Sequence, residues 1–236
     1  MSDPRLLVVR KEVVERIAAA AHRAKRDPSE VAVVAVTKTV AADRIRAAID
    51  AGFTELGENR VQERAAKAAE VEVARGPRWH LVGPLQSNKA RRAVELFDVI
   101  QTVDSLDLAR RLDRIAAELH PGRPIRVLVQ VNVDDDGAKS GYAPADVERD
   151  LAELMELEHL AVDGLMTVGR LVETAEQARP TFVALRRLSE RLRARHGGLG
   201  AALSMGMSED FEVAVEEGAT LVRIGRAIFG ARPPVG

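Results

Sequence analysis

Lysine is rare in this sequence, and one lysine stands where its amine has a chemical use. The chain has 35 basic residues, of which only Lys11, Lys25, Lys38, Lys67, Lys89 and Lys139 are lysines. Lys38 lies at the end of an apolar run, residues 31–36, where partial burial lowers the pKa of an amine and increases its neutral fraction. Arginine stays protonated and cannot take that role. We expect either a Schiff-base lysine or a lysine that extends from a strand end into water.

Two loops near the end of the chain have the composition of a phosphate site. Residues 204–208 lead into a helical segment that Ser208 is expected to cap, and Gly225 and Arg226 follow an apolar run. The first turn of a helix offers unpaired backbone N–H groups, which bind anions. An ordinary capped turn remains the alternative interpretation.

Arg223 lies within an apolar run, residues 221–224, where strand alternation places it on the same face as Leu221 and Gly225. A permanently charged guanidinium on an interior face needs an acceptor that has a lone pair. That acceptor is either a ligand atom or a carboxylate of a structural ion pair.

The other polar candidates indicate no metal. Glu58 suits the start of a helix, and His80 is expected to be a hydrogen-bonded core histidine rather than a base. The five histidines are His22, His80, His120, His159 and His196, and their spacing is not that of metal ligands. We predict no metal site. Lys11, Lys25 and Lys67 are expected to be solvated charges on helices.

Alternating elements are expected to hold these residues. Strands are predicted at 31–36, 54–57, 80–82, 99–102, 126–133, 162–166, 202–204 and 221–224, with helical segments between most of them and a further helix over residues 3–26. Eight strand-helix repeats in one domain, residues 1–236, predict a (β/α)8 barrel with an extra N-terminal helix; a doubly wound open sheet is the alternative. The polar candidates then share the carboxyl ends of the strands.

Composition narrows the classes of function. The 236 residues are 46% hydrophobic, and the 35 basic residues balance 36 acidic ones, which fits one soluble domain without an electrostatic footprint for nucleic acid. The absence of cysteine excludes disulfides and thiolate chemistry. The sequence has no apolar leader and no membrane-length apolar stretch, so we expect a cytoplasmic protein without a membrane partner.

Seven short sequence motifs, in a fixed order along the chain, contain many of these residues and resemble those of a known family. They are AVTKT (35–39), GENRVQE (57–63), WHLVGPLQSNK (79–89), KSG (139–141), GLM (164–166), LSMGMS (203–208) and VRIGRAIFG (222–230). Together they resemble the pyridoxal phosphate homeostasis proteins, the YggS/PROSC family, from about residue 6 to residue 230. Members of that family are similar to the barrel domain of alanine racemase, a fold-type III protein that binds pyridoxal 5′-phosphate (PLP).

The resemblance implies a set of cofactor-binding residues. PLP is implied as a Schiff base on Lys38, with its phosphate on the loops 204–208 and 225–226 and its pyridine nitrogen facing Arg223. The implied set is Lys38, Asn59, Met166, Ser204, Gly206, Met207, Arg223, Gly225 and Arg226, with Lys139 and Lys89 as a possible secondary PLP site. Two positions depart from the family pattern: Arg226 replaces a small hydroxyl residue, and Thr37 replaces serine.

The resemblance also implies a function. A cation that only donates keeps the pyridine nitrogen unprotonated and makes the ring a weak electron sink. The racemase needs a second, β domain that carries a tyrosine acid/base, whereas Tyr142 is the only tyrosine here. We therefore expect an intracellular PLP carrier or buffer without substantial turnover, monomeric, with PLP-dependent apo-enzymes as possible partners. A weak fold-type III racemase, another Schiff-base enzyme such as an aldolase, and a scaffold with a vestigial site remain alternatives.

Overall fold

Eight parallel strands close into a barrel in the order of the sequence. In the computed structural model, which describes residues 3–71, 76–170 and 172–230, the strands are β1 Ala32–Val36, β2 Glu55–Glu58, β3 Arg78–Leu81, β4 Val99–Val103, β5 Ile125–Gln130, β6 Leu160–Met166, β7 Ala202–Ser204 and β8 Leu221–Ile224. β1 pairs with β8, with Ala32 opposite Leu221, and this pairing closes the barrel. The predicted (β/α)8 barrel is confirmed. Residues 1–2, 72–75, 171 and 231–236 of the predicted domain lie outside the described residues.

Helices surround the barrel. They are α1 Pro4–Arg23, α2 Ala42–Asp50, α3 Val61–Lys67, α4 Ala90–Leu96, α5 Leu106–Leu119, α6 Pro144–Met155, α7 Arg179–Arg195, α8 Phe211–Glu216 and α9 Arg226–Phe229, with 3-10 turns at Pro28–Glu30, Ser87–Lys89 and Ala175–Ala178. α1 is the predicted extra helix; the Asp3 carboxylate caps it by accepting from the Arg5 N–H. Within the described residues, no helix combines the length and apolar character that a membrane crossing requires.

The two sides of the barrel wall differ in chemistry. The layer between strands and helices is apolar and continuous, and it includes fully buried side chains such as Leu112 and Leu151. The interior of the barrel holds a separate small apolar cluster of Val34, Val36 and Val82. It also holds buried polar side chains from five strands, namely Glu55, His80, Gln101, Ser204 and Arg223.

Two predicted element boundaries are wrong because of hydrogen bonds made by the loops next to β5 and α8. β5 ends at Gln130 rather than at residue 133, because the chain turns back and Tyr142 N–H donates to the Gln130 carbonyl at 2.8 Å. α8 begins at Phe211, so Ser208 does not cap it. The Ser208 hydroxyl instead accepts from the Ala227 N–H at 3.3 Å, and the Asp210 carboxylate accepts from the Met207 N–H at 2.6 Å. The loop after β7 is therefore longer than predicted and is tied to α9.

Candidate functional site

A cavity of about 610 Å³ opens at the carboxyl ends of the strands, where barrels of this architecture carry their sites. Its lining residues come from the carboxyl ends of strands and from the segments that follow them, at β1, β2, β3, β6, β7 and β8. They are Val36, Lys38, Asn59, Val82, Val168, Arg170, Val172, Met207, Ser208, Glu209, Asp210, Arg223, Gly225 and Arg226. The cavity therefore brings together an amine, guanidinium groups and backbone N–H groups above an apolar wall.

Lys38 reaches the cavity from a constrained segment after β1. Lys38 is half-buried, and its predecessor Thr37 is fully buried. The next residue, Thr39, has a φ of 63°, which is unfavourable for a β-branched side chain. The Thr39 hydroxyl donates to the Lys38 carbonyl at 2.6 Å. These contacts fix the backbone from which the Lys38 amine extends.

A second lysine, Lys67, contacts the same segment after β1. The expectation that Lys67 is a solvated charge is wrong. Its Nζ, mostly buried, donates to the Thr37 carbonyl at 2.9 Å and to Glu58 Oε1 at 2.7 Å. Burial raises the pKa of Glu58, and the neighbouring Glu63 acts in the same direction, although the bonds from Lys67 and Thr37 lower it. Glu58 is therefore part of a buried acid-lysine cluster beneath Lys38. Helix periodicity alone gave no signal of it.

Arg223 is fully buried at the base of the cavity. Its Nη1 donates to Ser204 Oγ and its Nη2 to the Thr167 carbonyl, each at 2.7 Å. The predicted alternative of a hydrogen-bonded ion pair is absent among the described residues; the charge of Asp210 acts on Arg223 without a bond. Burial lowers the pKa of Arg223 to about 10, so it stays a cation at neutral pH. Two of its five N–H groups are used, and the others remain as donors.

The loops after β7 and β8 form one side of the cavity. Within the described chain, the backbone N–H groups of Ser208, Glu209, Gly225 and Arg226 donate to no protein acceptor. The Arg226 guanidinium is largely exposed and pairs with Glu209 at 3.2 Å. Burial raises the pKa of Asp210, against the effects of the Met207 N–H and the Arg223 charge. The backbone, rather than the Arg226 side chain, offers the donors at this wall.

Predicted site residues fall into two groups. Lys38, Asn59, Met207, Arg223, Gly225 and Arg226 line the cavity, whereas Met166, Ser204 and Gly206, all described, do not. Met166 is buried at the end of β6, and Ser204 lies beneath Arg223. Gly206 has a φ of 87°, and a Cβ there would lie 2.5 Å from Ala214 Cβ, so this glycine lets the loop pack on α8.

Asn59 depends on a close approach of two backbone segments. A Cβ at Gly83 would lie 2.3 Å from the Asn59 carbonyl oxygen, a contact that real Cβ atoms do not make. Only glycine therefore fits at position 83 without moving the segment that carries Asn59. The sequence shows Gly83 within a quoted string but does not reveal this contact.

Some lining residues were not predicted. Val36, Val82, Val168 and Val172 supply apolar surface, and Arg170 adds a further guanidinium at the rim. Val168, Arg170 and Val172 come soon after β6 in the sequence, so their place after a strand end was a usable signal. Val36 and Val82 read as ordinary strand residues, and only the barrel geometry turns them toward the cavity.

The predicted secondary lysines lie on the same face but outside the cavity lining. Lys139 pairs with Asp136 at 3.3 Å and with Asp134 at 3.8 Å. Asp134 also accepts through its carbonyl from Arg170 Nη2 at 2.6 Å, which links the Lys139 loop to the cavity rim. Lys89 ends the 3-10 turn after β3 and is half-buried.

The chemistry available in this arrangement is that of an amine next to an anion site. A half-buried lysine, a buried cation that only donates and free backbone N–H groups suit a ligand with a carbonyl group, an acceptor ring atom and an anionic group. No cluster of three or more histidine, aspartate or glutamate residues with the geometry of a metal site occurs in the described part of the chain.

Comparison with known proteins gives a consistent result. Residues 10–233 match the family described as alanine racemase, N-terminal domain. Pyridoxal phosphate homeostasis proteins of Escherichia coli K12 and Pseudomonas aeruginosa are 42% and 44% identical, covering 94% of this chain and 94% and 93% of theirs. The structure of PipY of Synechococcus elongatus with PLP bound has a TM-score of 0.81 at 44% identity, covering 92% of this chain and 100% of that one.

A more distant structure shares only the fold. Alanine racemase of Clostridium difficile 630 has a TM-score of 0.73 at 16% identity, covering 95% of this chain but 57% of the racemase chain. The barrel is thus common to both proteins.

Proposed function

The chain belongs to the family of pyridoxal phosphate homeostasis proteins, within the wider alanine racemase N-terminal domain family, and from this we propose that it binds PLP through Lys38 and buffers or carries it without substantial turnover. The observation that carries the proposal is that one cavity is lined by both Lys38 and the buried Arg223. PipY, a relative at 44% identity, has been solved with PLP bound.

The residues of the cavity fit the groups of PLP. PLP supplies an aldehyde that condenses with an amine to a Schiff base, a phosphate dianion and a ring nitrogen that accepts a hydrogen bond. Lys38 provides the amine. The free N–H groups at Ser208, Glu209, Gly225 and Arg226 bind the phosphate, and Arg223 keeps donors for the ring nitrogen. Asn59 and Met207 complete the walls.

The other predicted residues act from behind the lining. Ser204 holds Arg223, Gly206 shapes the phosphate loop, and Met166 packs at the end of β6 beside them. Arg226 binds the phosphate through its backbone N–H, while its side chain pairs with Glu209 at the rim of the cavity. The small hydroxyl residue usual at this position is therefore dispensable in this chain.

Two features limit the chemistry available at the site. Arg223 can only donate, so it holds the ring nitrogen unprotonated and weakens the ring as an electron sink, which suits storage or limited carbanion chemistry better than broad amino-acid catalysis. The only tyrosine, Tyr142, is buried outside the cavity lining, and burial raises its pKa. Tyr142 is therefore poorly placed to move a proton at the cofactor.

The proposal extends to partners and location. Lys139 and Lys89 form a secondary PLP site on the way out of the cavity, with Lys139 linked to the rim through Asp134 and Arg170. Residues 1–236 act as a single domain and a monomer in the cytoplasm, and PLP-dependent apo-enzymes receive the cofactor. Sedimentation of the full chain tests the monomer.

Titration with PLP tests the proposal. The wild-type protein develops a visible absorption band on saturation, and Lys38→Ala does not, while Lys11→Ala, a change of an exposed lysine on α1, behaves like the wild type. Transfer to an apo-enzyme follows as gain of that enzyme's activity. A wild-type protein that ignores PLP would overturn the proposal.

The second candidate is a weak fold-type III racemase or another Schiff-base enzyme. The same lysine and anion wall favour it, because both chemistries need them. Racemisation of alanine by the PLP-loaded protein separates the two: robust turnover that is lost in Lys38→Ala supports an enzyme, and its absence supports the carrier.

A further inference from the structure

A continuous chain of hydrogen bonds crosses the barrel interior beneath Arg223. Arg223 Nη1 lies 2.7 Å from Ser204 Oγ, which lies 2.6 Å from Gln101 Oε1. Gln101 Nε2 lies 2.8 Å from His80 Nδ1, and His80 Nε2 lies 2.7 Å from Glu55 Oε2. The five residues come from β8, β7, β4, β3 and β2 and are all buried. We call this set the interior chain.

Arg223 and the orientation of the Gln101 amide together give the direction of every bond. Arg223 has only donors, so Ser204 Oγ accepts from it. Gln101 turns its amide oxygen, an acceptor, toward Ser204 Oγ and its amide nitrogen, a donor, toward His80 Nδ1. The Ser204 hydroxyl therefore donates to Gln101 Oε1, and His80 carries its proton on Nε2 and donates to Glu55. With the amide in this orientation, a proton on His80 Nδ1 would place two donors face to face.

The far end of the interior chain is anchored by charge. Glu55 accepts from His80 and, through Oε1, from Arg78 Nε at 2.9 Å. Burial acts to raise the pKa of Glu55, but the bonds from His80 and Arg78 outweigh it and the pKa lies below its usual range. Glu55 is therefore an ionised acceptor, which holds the His80 proton on Nε2.

Barrel interiors of this kind are usually filled with branched aliphatic side chains, and a buried polar chain is costly unless each member is bonded. Here each member donates to the next, from the Arg223 cation at the cavity to the ionised Glu55 at the amino end of β2. Building on the proposed function, we propose that His80, Gln101 and Ser204 are positioning residues. They orient the Arg223 guanidinium so that its remaining N–H groups face the ring nitrogen of PLP.

The test breaks the chain at its centre. Gln101→Leu removes both bonds of the amide with similar volume, so Ser204 Oγ loses its acceptor and Arg223 loses a fixed partner. PLP affinity is expected to fall about tenfold, the effect of one charge-assisted hydrogen bond, and the absorption maximum of bound PLP to shift. Thr102→Val is the matched control, since Thr102 is the next residue, equally buried, and its hydroxyl has no partner among the described residues. The control keeps the wild-type affinity and spectrum.

A second readout needs neither a variant nor PLP. In the ligand-free wild-type protein, nitrogen-15 spectra of the imidazole groups are expected to show His80 as the neutral Nε2–H tautomer. An Nδ1–H tautomer, or a doubly protonated ring at neutral pH, contradicts the direction of the chain.

The outcomes separate this proposal from the proposed function. If the wild type binds PLP and Gln101→Leu matches Thr102→Val in both affinity and spectrum, the positioning role is overturned while the carrier stands. If the wild type does not bind PLP, the proposed function fails and the positioning role with it, whatever the tautomer of His80.

Discussion

The outer and inner faces of the barrel wall are built on opposite principles. Between strands and helices lies an apolar layer in which side chains such as Leu112 and Leu151 are completely buried. Inside the barrel, charged and polar groups from five strands are also buried, and they bond to one another in a fixed order. The outer layer is held together by apolar contacts, which have no preferred direction. The interior is held together by hydrogen bonds, which require donors and acceptors in defined orientations.

This difference separates stability from function. Apolar burial gains free energy in proportion to area and tolerates changes of shape. A buried hydrogen bond between polar groups gains little net free energy, but it fixes the orientation of the groups that it joins. Changes in the outer layer should therefore alter unfolding, and changes in the interior should alter the cavity.

The largest effect is expected in the outer layer. Leu112→Ala on α5 leaves a cavity in a fully buried position and should lower the free energy of unfolding by about 2–5 kcal/mol. PLP affinity of the folded protein should stay within about twofold. Leu112 does not line the cavity, so its truncation removes no hydrogen-bond donor from the PLP site. Urea denaturation and PLP titration measure the two quantities. A large loss of PLP affinity with an unchanged free energy of unfolding would contradict the assignment of stability to the outer layer and of binding to the interior.

Arg223→Met should give the reverse pattern. It removes the buried guanidinium while keeping an unbranched side chain, so PLP affinity should fall about 100-fold, the range expected for lost bonds from a charged donor. The free energy of unfolding should change by about 1 kcal/mol or less. Ser204 Oγ and the Thr167 carbonyl no longer receive hydrogen bonds from Arg223, but the cost of burying the Arg223 charge is also removed, and the two effects offset each other. If unfolding changes as much as in Leu112→Ala, Arg223 is a structural residue.

The acid-lysine cluster beneath Lys38 should give a smaller, pH-dependent effect. Burial raises the pKa of Glu58, so the folded state favours its neutral form. Its contribution to stability is then greatest below the ordinary pKa of about 4.3 and is lost as the pH rises through the raised value. Glu58→Gln stays neutral, so the unfolding free energy of the wild type should fall relative to the variant as the pH rises above about 4.3.

Urea denaturation at several pH values measures this slope. Glu12→Gln, a change at an exposed carboxylate on α1, is the control and should leave the pH dependence of the wild type unchanged. If the curves of the wild type and Glu58→Gln run parallel across the range, folding does not shift the pKa of Glu58.

Arg226→Ala should have the smallest effect. The Arg226 side chain is exposed and pairs with Glu209, while its backbone N–H lines the cavity. Exposed ion pairs contribute about 0–1 kcal/mol, so PLP affinity should change by less than about threefold. A loss comparable to that of Arg223→Met would instead place the guanidinium on the phosphate.

The sequence was sufficient to predict the barrel but not its interior. Strand and helix patterns depend on local periodicity, so all eight strands were found within a few residues. β5 was predicted too long because the return of Tyr142 onto Gln130 is a contact between distant residues. The same holds for α8, because the Ser208 hydroxyl, predicted to cap this helix, accepts instead from the N–H of Ala227, 19 residues further along the chain.

The site was predicted where a residue's place within or just after a strand is enough. Lys38 and Arg223 are of this kind, and the structure places both in the cavity. Lys67 was misread because only the tertiary contact with Glu58 distinguishes it from a solvated helix lysine. His80, Gln101 and Ser204 meet only inside the closed barrel, where side chains of β3, β4 and β7 come together, and no single strand reveals this.

The most direct measurement is the position of the reduced cofactor. The wild-type protein is loaded with PLP, reduced with borohydride and digested, and the modified peptides are mapped over all six lysines. Stoichiometric modification of Lys38, with Lys67 unmodified because its amine is engaged by Glu58 and the Thr37 carbonyl, is the predicted result. Modification that leaves Lys38 free, or none at all, would contradict the central claim that the polar interior and its cavity exist to hold PLP on this lysine.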